Sequence, residues 1–312
     1  MEIVKHYGIF EYLNKLNIDD IDILNIPDKD LANVSMDVFE TIRLKVFQVS
    51  YGYGTSLIIT GQGGLGKSYE VKQSLKESRK EFYFIKGGTS TAGLFETLFT
   101  YNGGLIVFDD CDSVFDNVES VNILKSATDS DEERIISRRI KTHFETKGMS
   151  QADIMSNYTG DISLADKKEN FNPSNKGKLP KSFEFTGRII FISNLNINEI
   201  DPVLINRASA HIDVDLTHDQ IIERMRRVLR GVRRDVDFES KERVLRLIDF
   251  FSMNYVTLQP LTIRGLLNAV DTMVANTMTK EINGKNIPMW QILLKQDMLG
   301  SKAVKRKDLD NK

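Results

Sequence analysis

The chain has 312 residues, with 42 Lys and Arg against 44 Asp and Glu, a formal net charge of −2. Apolar residues make up 41% and charged residues 28%, which excludes a largely disordered chain; 6 prolines and 20 glycines exclude collagen-like and Pro-rich classes. The length suits one large domain or two smaller ones. No apolar run approaches the roughly 18 residues of a membrane span, so no membrane partner is expected. Met1-Glu2-Ile3-Val4-Lys5-His6 lacks a charged head followed by an apolar stretch, and no secretory leader is read there. A single cysteine, Cys111, excludes an intrachain disulfide, and a reducing cytoplasm is the expected compartment. Near-neutrality means that nucleic-acid affinity would need a local patch.

Residues 1–50 carry apolar positions at helical spacing, Ile9, Tyr12, Leu13 and Leu16 in one stripe and Val38, Phe39, Ile42, Val46 and Val49 in another. Pro27, Asp28 and Asp30 separate them, so a helix, a loop and a second helix ending near Tyr51-Gly52 are expected. Ser56–Thr60 reads as a buried parallel strand, and a helix follows from Lys67 to about Ser78. Further strands are expected at Phe82–Ile85, Leu105–Phe108, Arg188–Ser193 and Ala210–Asp215, with a helix at Leu94–Phe99. Short apolar strands alternating with helices indicate an α/β fold, a parallel sheet sandwiched by helices. Gly148–Lys181 is polar and reads as an inserted excursion of about 148–182. Beyond Leu216 only helices are read. Thr217 caps Asp219–Arg230, a second runs from Glu239 or Ser240 to about Asn254, a third from Thr262 to about Met278, and a last one from Pro288 to Leu299. The expected domains are an N-terminal helical extension at 1–34, an α/β domain at 35–216, an all-helical domain at 217–300 and a polar tail at 301–312.

Gly61-Gln62-Gly63-Gly64-Leu65-Gly66-Lys67-Ser68 fits G-x-x-x-x-G-K-[ST] at every fixed position and lies between a strand and a helix. Glycines let the backbone curl so that successive N–H groups converge on phosphate oxygens, and the helix N-terminus adds its partial positive charge. Nucleotide contacts are therefore expected from Gly61, Gln62, Gly63, Gly64, Leu65, Gly66, Lys67, Ser68 and Tyr69. Lys67 would reach the β- and γ-phosphates of ATP and Ser68 would ligate Mg²⁺. The competing reading is a glycine-rich turn with an accidental Lys-Ser.

Phe108-Asp109-Asp110-Cys111-Asp112 closes an apolar strand. A carboxylate there faces the ligand crevice of an open α/β sheet. Asp109 is the expected Mg²⁺ partner, and Asp110 is the candidate to orient or deprotonate a water; a solvated acidic turn is the alternative. Cys111 reads as a small packing residue. The four histidines are scattered and form no metal cluster.

At this point the sequence resembles the AAA+ superfamily of ATPases over approximately residues 35–300. Gly61–Ser68 resembles its Walker A motif and Leu105–Asp110 its Walker B motif. Ile190-Phe191-Ile192-Ser193-Asn194 is similar to its sensor 1 strand. Asp201-Pro202-Val203-Leu204-Ile205-Asn206-Arg207 is similar to the segment ending in an arginine finger, and Leu261-Thr262-Ile263-Arg264 to sensor 2 in the helical lid. The resemblance implies that Asn194 touches the attacking water or the γ-phosphate, that Arg207 completes a neighbouring subunit's site, and that Arg264 reaches the γ-phosphate from the lid. It also implies a homo-oligomeric ring such as a hexamer, and a DNA or protein substrate. The wording from Phe183 to Asn194 resembles AAA+ proteins encoded by bacteriophages, which would put the chain in a host cytoplasm.

Three departures qualify these expectations. Asp110 stands where most members have Glu, so a water must sit closer or be reached through Asp112. The insertion before the fourth strand is long, and Lys181–Gly187 alternates as a hairpin strand would. No aromatic-aliphatic-Gly pore motif is present; the loop Lys86–Gly93 offers Lys86 as a pore contact instead. Arg224, Arg226, Arg227, Arg230, Arg233 and Arg234 cluster in and after one helix, as either an ion-paired solvated face or a nucleic-acid contact. Arg138 and Arg139 are expected on a helix near a subunit boundary. The function expected is ATP hydrolysis coupled to remodelling of a macromolecule; the alternative is a nucleotide-dependent loader or adaptor with slow hydrolysis.

Overall fold

The computed structural model describes residues 36–131, 133–138, 143–161, 163, 171–301 and 303–306. The expected N-terminal extension at 1–34 lies outside the described residues, as does Arg139. The chain divides into a first unit, Met1–Thr41, and a second, Ile42–Lys312. A helix α1 (Val38–Ser50) runs across the division, and everything below concerns the second unit.

Five strands form one parallel sheet: β1 (Ser56–Gly61), β2 (Phe82–Lys86), β3 (Leu105–Asp109), β8 (Arg188–Ile192) and β9 (Ala210–Val214), in the order β2-β3-β8-β1-β9. The intervening β4 (Ile135–Ser137), β5 (His143–Phe144), β6 (Leu179–Pro180) and β7 (Ser182–Glu184) stand outside it. β1 lies between β8 and β9, pairing Ile58 with Phe191 and with His211. Parallel strands covered on both faces need near-continuous apolar runs, and β3 is buried along its whole length. Ile58, Ile106, Phe108, Ile189 and Phe191 pack with Leu94, Phe95, Leu98 and Phe99 of α3 (Thr91–Thr100) and with Ile123 and Leu124 of α4 (Val118–Ala127). Alternation puts Leu57, Ile59, Val107 and Ile190 on the opposite face, also buried. The helix α2 (Lys67–Ser78) follows β1 directly through the glycine loop.

The polar excursion has structure inside it. Ser150 and Asp153 form a capping box that opens α5 (Gln151–Thr159), and Gly160 ends it with φ 76°. Ile154 docks into the main core with Ile136, Phe144, Phe183 and Phe185. The strand expected at Lys181–Gly187 is β7, and its antiparallel partner is β4, with Ile136 opposite Phe183. The helix expected at Arg138 is overturned: that residue follows β4, and its Nε donates to Glu119 at 3.0 Å.

The lid comprises α7 (His218–Gly231), α8 (Phe238–Asn254), α9 (Ile263–Ala275) and α10 (Met289–Leu299), after the short α6 (Pro202–Arg207) of the α/β part. Thr217 and Gln220 make a capping box for α7, Asp237 caps α8 and Thr262 caps α9. The third lid helix stops at Ala275, short of the expected Met278, because an exposed hairpin follows: β10 (Thr279–Ile282) and β11 (Lys285–Pro288). Its turn is Asn283-Gly284, at φ 51° and 73°, the positive-φ pair a two-residue hairpin requires. Within the expected polar tail, Val304 accepts the Val256 N–H at 2.9 Å and Arg306 donates to Ser252 and Tyr255. No helix among the described residues is long and apolar enough to cross a membrane.

Candidate nucleotide site

The C-terminal ends of β1, β3 and β8 and the start of α2 meet at one crevice, the ligand-binding edge of an open α/β sheet. Three glycines permit the loop's path. Gly61, Gly64 and Gly66 have φ of 114°, 79° and 98°. A Cβ on Gly61 would lie 2.5 Å from the Val214 carbonyl oxygen, and one on Gly64 would lie 2.8 Å from Thr262 Cβ. No side chain caps α2, so its first N–H groups remain available to anionic oxygens.

Lys67 is buried, and its ammonium donates to the carbonyls of Gly61 and Gln62 at 2.5 and 2.8 Å and to Asn194 Oδ1 at 3.1 Å. Burial lowers its pKa from 10.5 to about 8, against the raising influence of Asp110, Asp112, Asp109 and Asp213. Asn194 Nδ2 in turn donates to Asp110 Oδ1 at 2.7 Å, and its N–H to Asp112 Oδ2 at 3.4 Å. Asp110 sits in the left-handed region at φ 57°, a conformation Asp tolerates better than most residues, which swings its carboxylate off the strand line. Ser68 Oγ donates to Asp109 Oδ1 at 2.5 Å. The other Asp109 oxygen, Oδ2, accepts no hydrogen bond although the residue is fully buried. Tyr69 is exposed at the rim of the same site.

The lid covers the loop. Ile263 N–H donates to the Gly64 carbonyl at 2.9 Å, and Gln62 Nε2 donates to the Leu261 carbonyl at 2.9 Å. Arg224 of α7 pairs with Glu70 of α2 at 2.8 Å. Between lid and loop lies a cavity of about 430 Å³ lined by Gly63, Gly64, Gly66, Lys67, Ser68, Tyr69, Lys86, Asp110, Asn194 and Arg264, among others. A second cavity of about 250 Å³ lies behind the loop, lined by Gly61, Gln62, Leu65, Asp213 and Ile221.

Lys67, Ser68, Asp109, Asp110, Asn194 and Arg264 thus converge. Arg207 does not line this cavity; it ends α6 and binds the Lys125 carbonyl at 3.0 Å and the Asp129 carboxylate of its own chain. The ammonium of Lys86 lies 3.5 Å from Asp109, a neighbour that sequence reasoning did not name. Nor did that reasoning name Glu70, and it read Thr262 only as the start of a helix, not as the residue that crowds Gly64. The arginine cluster is largely ion-paired: Arg226 with Glu223 and Glu242, Arg227 with Glu223, Arg233 with Asp235 and Asp271. Cys111 is buried, its thiol pushed up to about 11 mainly by burial, as befits a packing residue.

The sheet order, the phosphate loop after β1, the acidic end of β3 and the helical lid define the AAA+ type of P-loop NTPase fold. No family model matches the chain. Its sequence is 24% identical over 247 residues to an uncharacterized 36.7 kDa protein from the nrdC–mobD intergenic region of Enterobacteria phage T4. That match takes in 71% of this chain and 64% of the phage protein, less than two thirds of its length. Among solved structures, the Thermotoga maritima RuvB Holliday junction branch migration motor aligns over 83% of this chain and 67% of its own, at 12% identity and a TM-score of 0.42. A mutant of the same RuvB reaches a TM-score of 0.45 at 11% identity, covering 83% of this chain and 69% of that one. The FIGL-1 AAA domain in complex with ADP gives 0.37 at 13% identity, covering 80% and 70%.

Proposed function

We propose that this chain binds Mg·ATP at the β1–α2 loop and hydrolyses it as an oligomeric AAA+ ATPase that remodels a macromolecule, phage DNA or a protein bound to it. The observation carrying this reading is the run of hydrogen bonds Lys67–Asn194–Asp110 beside the Ser68–Asp109 pair, all at the mouth of the glycine loop. The free N–H groups of the loop and Lys67 bind the phosphates. Ser68 Oγ and Asp109 fit Mg²⁺, because Asp109 offers a buried oxygen that accepts no hydrogen bond. The ion would shield charge on the β- and γ-phosphates. Asp110 orients or accepts a proton from the attacking water, and Asn194 fixes the Asp110 carboxylate. Arg264 approaches from the lid, and Arg207 serves the neighbouring subunit. The cavity bounded by Gly61, Asp213 and Ile221 takes the base. A host cytoplasm accords with the phage relative.

A second reading is favoured by Asp110 itself. Its short carboxylate is already engaged by Asn194, which suits a nucleotide-dependent loader or adaptor with slow, partner-stimulated hydrolysis. Calorimetry with Mg·ATP, followed by steady-state phosphate release with and without DNA, tests both. Saturable heat with steady turnover supports the remodeller. Saturable heat with turnover only in the presence of a partner supports the switch. Absence of any binding heat removes the whole scheme.

A further inference from the structure

Two lysines flank the acidic end of β3. Lys67 is anchored by the loop carbonyls and Asn194, whereas Lys86 arrives from the other side as the last residue of β2. Parallel pairing sets Lys86 beside Asp109, and Gly87 N–H donates to the Asp109 carbonyl at 3.1 Å, so the backbone fixes this juxtaposition. Lys86 Nζ stands 3.5 Å from Asp109 Oδ2, the oxygen that accepts no hydrogen bond, on a residue 0% exposed. A carboxylate so buried is costly unless a cation compensates it. The separation is long for a hydrogen bond, and the Lys86 side chain is 61% exposed, so its compensation is electrostatic and unlocked.

Asp109 is also the carboxylate that the proposed function assigns to Mg²⁺. A divalent ion and an ammonium held within a few ångströms of one carboxylate repel each other. We propose that Lys86 is a displaceable counter-ion: it neutralises Asp109 while the metal is absent and must withdraw when Mg·nucleotide enters, which sets the Mg²⁺ requirement of nucleotide binding. This inference rests on the nucleotide reading above. Withdrawal needs only side-chain rotation towards solvent, which already reaches most of the Lys86 side chain. The backbone stays in place, because the Cys111 thiol donates to the Gly87 carbonyl at 2.8 Å and the Ser113 hydroxyl to the Thr89 carbonyl at 3.2 Å. Lys86 therefore competes with the metal for Asp109, a role separate from the phosphate contacts of Lys67.

The test titrates a non-hydrolysable ATP analogue calorimetrically at Mg²⁺ concentrations from fully chelated to saturating, in wild type, Lys86→Gln and Lys86→Arg. The half-saturating Mg²⁺ concentration should fall about tenfold in Lys86→Gln, as loss of one nearby positive charge predicts, and return to the wild-type value in Lys86→Arg. An unchanged or raised midpoint in Lys86→Gln, with wild-type binding intact, overturns the proposal. So does a folded Lys86→Gln chain that binds no analogue, since Lys86 would then be a phosphate ligand. A wild-type chain that binds none at any Mg²⁺ concentration overturns the nucleotide reading itself and, with it, this inference.

Discussion

Burial holds the Lys67 ammonium near pH 8, well within reach of titration. A triphosphate favours the charged form, so binding at pH 8 should take up a fraction of a proton, and affinity should fall as pH rises through 8. Calorimetry in two buffers of different ionisation enthalpy reads that uptake directly; identical apparent enthalpies would count against it. Without nucleotide the sign reverses for folding. The folded pKa lies below the unfolded 10.5, so the Lys67 contribution to stability grows as pH climbs from 8 towards 10.5 and is lost as pH falls through 8. Nearby, Asp110→Asn keeps the hydrogen-bonding outline but not the charge. It should bind ATP with wild-type affinity and lose at least about 10²-fold in turnover, the usual scale for a general base. Near-wild-type phosphate release from Asp110→Asn would shift the water to Asp112, whose carboxylate also takes an Asn194 bond.

The β1–α2 loop depends on glycine at one point above others. At Gly61 both the φ of 114° and the 2.5 Å approach of the Val214 carbonyl oxygen refuse a side chain. Gly61→Ala should cost at least about 2 kcal/mol, visible as a lowered Tm without any nucleotide present. Thr262→Ala, which removes the α9 cap, should cost about 1 kcal/mol, and an unchanged Tm would show that the cap contributes nothing. The elements that were legible share a cause: β1, β3 and β8 each carry an unbroken apolar run (Leu57–Ile59, Leu105–Phe108 and Ile189–Ile192), and the glycine loop has a fixed spacing. The β10–β11 hairpin was not read because Thr279-Lys280-Glu281-Ile282 is exposed at every position and shows no apolar face. Its only local signal was Asn283-Gly284. The pairing of β4 with β7 was hidden by distance, since Ile136 and Phe183 meet across a stretch that composition marks as polar. Within the site, Lys67, Ser68, Asp109, Asp110 and Asn194 were nameable from motif order. Lys86 facing Asp109 was not, because strand register decides it and no spacing along the chain records that register.

At the scale of the whole molecule, the proposed oligomer turns on Arg207. In the single chain it is held by Asp129 and the Lys125 carbonyl. Service to a neighbour requires it to exchange that carboxylate for a phosphate. Arg207→Ala should therefore keep ATP binding and lose turnover. Mixing it with Lys67→Ala chains should restore part of the activity, since each supplies what the other lacks. Failure to recover at every mixing ratio speaks against a shared site. Native mass measurement with and without nucleotide analogue fixes the number of copies.

The buried guanidinium of Arg134 joins two remote stretches of backbone, donating to the Ala127 carbonyl at 2.7 Å and the Gly187 carbonyl at 2.9 Å. Ala127 ends the same helix that carries Lys125, and Asp129 follows two residues on, so the rivet ties the excursion's root to the Arg207 anchor. A load hung on that excursion would be borne at once by the arginine's mooring, and whatever grips the one would tug on the other.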